Sequence, residues 1–69
     1  MIVSQLLVAG SKILKNNKIQ THKLDAELVL SNLLKKQREH LIINCDQKIS
    51  KNVVNSFNRL IARRAAKEP

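Results

Sequence analysis

Aromatic side chains are almost missing: Phe57 stands alone, with no Trp and no Tyr in 69 residues. Any core must be built from Leu, Ile, Val and Ala, which suits packed helices better than a stacking surface for bases. One glycine in the whole chain leaves no material for a glycine-rich loop that cradles phosphate. One cysteine, Cys45, cannot form a disulfide within the molecule, and its use fits a reducing compartment. Carboxylates are also scarce, with five Asp and Glu against thirteen Lys and Arg and a formal net charge of +8. No run of about 18 apolar residues exists, because Gln5, Ser11, Lys12 and Lys15 break up the N-terminal segment. No small-residue cleavage site follows a short apolar stretch. These absences predict a soluble, cytoplasmic protein with no membrane partner.

What remains is short and helical. At 69 residues the chain is near the lower limit for folding alone, where about 60% of the unfolded surface is buried, so residues 1–69 are expected to form a single domain at most; a monomer is the expected state. Ile2, Val3, Leu6, Leu7, Gly10, Ile13 and Leu14 recur every three or four positions, which places them on one stripe of a helix ending near Asn16 and Asn17. Gly10 lies on that stripe. A glycine there costs a helix up to about 1 kcal/mol relative to alanine, and its expected use is to let another helix approach.

Thr21 is the expected N-cap of a second helix, with Asp25 and Glu27 near its positive end. Leu24, Leu28, Val29, Leu30, Leu33 and Leu34 give that helix a wide apolar arc, with Asp25 and Asn32 on the wet side. It reads as the central helix. A shorter third helix is expected over Gln37 to Ile43, burying Leu41, Ile42 and Ile43. A loop through Cys45 and Asp46 follows, and Ser50 caps a final helix whose inward stripe is Val53, Val54, Phe57, Leu60 and Ile61. No strand pattern or internal repeat competes. The expectation is an all-α protein, a small orthogonal bundle of four or five short helices.

Charge on the last helix is arranged unevenly. Arg59, Arg63 and Lys67 follow at four-residue spacing on one face, while Arg64, seven residues past Phe57, continues the apolar stripe. Its alkyl stem is expected to cover the core's edge with the guanidinium pointing past the domain's end. The remaining lysines are scattered and read as a solvated basic surface.

Catalysis finds no footing. His22, His40, Cys45 and Asp46 lack zinc-site spacing. Cys45 and His40 have no orienting third group or oxyanion donor. Asp25 and Glu27 are two apart on a helix and point in different directions. No residue here is assigned to catalysis, a cofactor or a metal.

Leu24-Asp25-Ala26-Glu27-Leu28-Val29-Leu30, Arg38-Glu39 ahead of Leu41, the loop through Asp46, Ser50 opening a helix, and the closing Arg63-Arg64-Ala65-Ala66-Lys67-Glu68-Pro69 occur in a characteristic order. Together they resemble the N-terminal domain of the peptide chain release factor glutamine methyltransferases, over nearly the whole chain. One departure is Lys35, where that family often has a glycine ending the second helix, which leaves the geometry of the turn open.

The resemblance implies that a methyltransferase domain follows Pro69, using S-adenosylmethionine to methylate the glutamine of the release factor's Gly-Gly-Gln tripeptide. The family's Asn-Pro-Pro-Tyr motif and cofactor loop are not in this chain. It further implies a role in recognising the release factor, for which Arg59, Arg63, Arg64 and Lys67 are the candidate contacts toward that partner or the following domain. Two other classes stay open: a basic helical nucleic-acid module, which would lose affinity steeply with salt, and a stand-alone protein-interaction bundle. Against the first, the cations do not cluster on one short helix that could enter a groove.

Overall fold

A computed structural model describes residues 1–67. Glu68 and Pro69, the last pair of the closing stretch, lie outside the described residues. The described residues form four helices: α1 (Val3–Asn16), α2 (His22–Leu34), α3 (Arg38–Ile43) and α4 (Lys51–Ala65). Among the described residues there is no sheet, only one isolated antiparallel bridge between Ile2 and Lys48. The bundle measures 28 × 21 × 18 Å. Helix α2 is central, touching α1, α3 and α4.

The core contains Val3, Leu6 and Leu14 of α1, Ala26, Val29 and Leu30 of α2, Leu41 of α3, and Phe57 and Ile61 of α4, with Ile49 from the preceding loop. Gly10 sits where α1 meets α4. A Cβ placed there would stand 2.5 Å from Cζ and 2.8 Å from Cε1 of Phe57. The only glycine is thus spent on seating the only aromatic ring.

Segment 44–49 does more than connect α3 to α4. The first amides of α1 have no partner inside their own helix, and this segment supplies one for each of two: Val3 N donates to Gln47 O at 3.0 Å and Ser4 N to Cys45 O at 3.0 Å. Ile49 N in turn donates to Met1 O at 2.8 Å, and the Gln5 side chain accepts from Ile2 N at 3.1 Å. At α4 the hydroxyl of Ser50 accepts from Val53 N at 3.3 Å, as an N-cap should. Thr21 occupies the N-cap position of α2, yet its side chain makes no capping bond.

Helix ends show what the shortage of glycine costs. Lys18, Lys35 and Lys67 adopt φ of 63°, 56° and 58°, the left-handed region where glycine is the usual occupant. At Lys35 the turn closes as glycine would close it, with Lys36 N donating to Ser31 O at 3.0 Å. The matching bond after α1 runs from Ile19 N to Leu14 O at 3.1 Å.

Four expectations are corrected. Ile42 and Ile43 are 67% and 79% exposed, not buried. Consecutive helical residues are 100° apart, so three in a row cannot share one face, and only Leu41 of α3 turns inward. Ile13, assigned to the α1 stripe, is 41% exposed. Asp25, assigned to the wet side, has a side chain only 14% accessible, while Leu24 and Leu28 at the margins of the α2 arc are partly exposed.

Candidate docking surfaces

Arg59, Arg63 and Arg64 all lie exposed on α4. Arg63 and Arg64 fall in its last turn, where positive charge complements the helix dipole. Arg64 does not continue the apolar stripe. That position is taken by Ala65, four residues past Ile61, which packs against the core. The Arg64 guanidinium instead turns sideways, with Nη1 3.6 Å from Asp25 Oδ2 at the start of α2. Lys67 leaves the row of Arg59 and Arg63, because α4 ends at Ala65 and the backbone turns left-handed at Lys67. The surface at this end of the bundle is therefore two arginines on one helical face, Arg59 and Arg63, beside an arginine tied to α2.

A second surface was not visible in the sequence. Helices α1 and α2, joined by a short turn, leave between them a groove of about 620 Å³ lined by Leu7, Val8, Ser11, Lys12, His22 and Lys23, with Lys15 and Glu27 completing its rim. Ser11 Oγ and His22 Nδ1 share a hydrogen bond of 2.6 Å across it. The spacing of eleven residues between them carries no motif, so only the turn that folds α2 back on α1 reveals the pair.

The Ser–His bond fastens α1 to α2. In a Ser-His-Asp site a carboxylate orients the other histidine nitrogen, whereas Glu27, the acid in this groove, is held by Arg38: Oε1 accepts from Nη2 at 2.7 Å and from Nε at 3.0 Å. The other histidine is similarly engaged. His40 Nε2 lies 3.0 Å from Gln47 Oε1, and its Nδ1 is 3.3 Å from Asn44 Nδ2. Cys45 is exposed beside Asp46. Among the described residues no three His, Cys, Asp or Glu side chains come together as a metal site, and no helix is long and apolar enough to cross a membrane.

The family profile described as PrmC N-terminal domain matches residues 5–69 of this chain. The chain belongs to that family. It is 35% identical over its whole length to a release factor glutamine methyltransferase of Clostridium botulinum, of which it covers 24%. It is 31% identical over 64 residues, 93% of the chain, to a release factor glutamine methyltransferase of Leptospira interrogans, covering 22% of that protein. A bifunctional methyltransferase of Rickettsia conorii is 30% identical over 67 residues, 97% of the chain and 13% of the relative. The chain thus spans about a quarter or less of the length of these curated relatives. No solved structure matches it with significance. The small all-α bundle expected from the spacing of apolar residues is the architecture that the four helices of the described residues form.

Proposed function

We infer that this chain is the release-factor-recognising N-terminal domain of a cytoplasmic protein-glutamine methyltransferase. The observation that carries the reading is the family match across residues 5–69, supported by relatives named for that activity. The parent enzyme would move a methyl group from S-adenosylmethionine to the glutamine amide of the Gly-Gly-Gln tripeptide. The cofactor and the reacting amide would be held by a following domain, since one glycine cannot furnish a cofactor loop. What this domain contributes is orientation. Binding energy gathered away from the reacting amide holds the glutamine in place for transfer.

The exposed face of α4 is directed toward the partner or the following domain, with Arg59 and Arg63 as its contacts. Arg64 serves that face indirectly, by fixing the end of α4 to Asp25, and Lys67 lies where the chain leaves the helix. The domain acts as a monomer, its net charge of +8 opposing self-association, and it takes a protein partner in preference to nucleic acid.

Titration of the labelled chain with a purified class 1 release factor tests the reading. Saturable binding is expected, weakened several-fold by Arg59→Ala with Arg63→Ala. Arg63→Ala with Arg64→Ala should weaken it too, and an Asp25→Asn control separates direct contact by Arg64 from its hold on α2. Absence of binding at the highest soluble concentration would overturn recognition by this domain. Reading the gene onward tests the parent activity, with a glycine-rich loop and Asn-Pro-Pro-Tyr as the expected continuation.

A further inference from the structure

We propose that the groove between α1 and α2 is the seat for an acidic, apolar-faced helix of the protein substrate, a proposal that rests on the recognition role inferred above. Four observations support it. First, Val8 is 68% exposed beside the half-buried Leu7, an apolar floor that nothing in the bundle covers. Second, the rim is cationic: Lys12, Lys15 and Lys23 are exposed, and no carboxylate among the described residues pairs with them. The one acid in the groove, Glu27, is neutralised by Arg38. An occupant with carboxylates flanking an apolar stripe satisfies both features, and a basic or neutral one does not.

Third, the length fits. From Leu7 to Lys15 the groove follows α1 for about 12 Å at 1.5 Å per residue, room for two turns of a partner helix laid in the groove by its i, i+3 and i+4 side chains. Fourth, the walls are fixed in advance. The Ser11–His22 bond of 2.6 Å spans the groove, so an incoming helix does not have to order it. A second copy of this chain is a poor occupant because both copies carry +8. Nucleic acid would find the cations but no aromatic surface to stack on, Phe57 being fully buried.

The experiment maps release factor onto the isotopically labelled chain by NMR and measures affinity for variants. Attenuation or shift is expected at Val8, Ser11, Lys12, His22 and Lys23. Val8→Asp should weaken binding at least tenfold while leaving circular dichroism and thermal unfolding unchanged, since its side chain points to solvent. Lys12→Glu with Lys15→Glu should match that loss and flatten the dependence of affinity on salt.

Perturbation confined to Arg59, Arg63 and the end of α4, with Val8→Asp binding normally, overturns the groove and leaves recognition by the domain standing. No perturbation anywhere overturns both. A single-stranded RNA oligonucleotide that moves the groove signals at lower concentration than release factor, or movement that follows the chain's own concentration, assigns the surface to another occupant and overturns the proposal.

Discussion

Gly10 and Lys35 illustrate opposite consequences of having a single glycine. Glycine occupies the position where no side chain fits, and lysine occupies positions where glycine would be easier. Gly10→Ala removes the propensity cost of about 1 kcal/mol but drives a methyl group into the buried Phe57 ring, and overpacking typically costs about 1–3 kcal/mol. The clash should win, lowering the urea midpoint at unchanged helix content; a midpoint that rises would show that the ring can give way. Lys35→Gly should act the other way. A left-handed conformation costs an ordinary side chain about 1–2 kcal/mol, offset in part by the extra freedom glycine has when unfolded. A gain of about 0.5–1 kcal/mol in chemical unfolding is expected, and a loss would mean that the Lys35 side chain contributes a contact.

At the scale of elements, capping separates two helices that look alike in sequence. Ser50→Ala should cost about 1 kcal/mol, because its hydroxyl accepts from Val53 N. Thr21→Ala should cost clearly less, since that hydroxyl makes no capping bond. Equal losses in thermal unfolding would remove the distinction. The four helices were legible because α1 and α4 carry apolar residues at helical spacing, and α2 is wide enough in its apolar arc to be recognised as central. The exposure of Ile42 and Ile43 could be anticipated from helix geometry alone, whereas the fate of Asp25 could not. A carboxylate at the start of α2 looks solvated until α4 brings Arg64 to it, and that meeting depends on how two distant segments pack. The α1–α2 groove was hidden for the same reason. Its cations were visible one by one and read as scattered, and only the turn between the helices gathers Lys12, Lys15 and Lys23 around Val8.

Over the whole molecule, charge of one sign dominates. Thirteen cations on 69 residues repel one another in the compact state, while the described pairs, Arg38–Glu27 and Arg64–Asp25, sit at partly exposed positions where an ion pair is worth about 0–1 kcal/mol. Screening should therefore relieve more repulsion than it removes attraction. The melting temperature is expected to rise from low to moderate sodium chloride, and a fall would place more of the stability in those two pairs than their exposure suggests.

The 3.6 Å contact of Arg64 with Asp25 has a mechanical meaning. It joins the last turn of α4 to the first turn of α2, three residues from His22 and two from Lys23 on the groove wall. The end of α4 is thus joined to the start of α2 by a partly exposed ion pair, apart from the buried packing around Phe57. A half-wet latch of this kind, worth about 0–1 kcal/mol, can open and close while the buried interior around Phe57 stays packed.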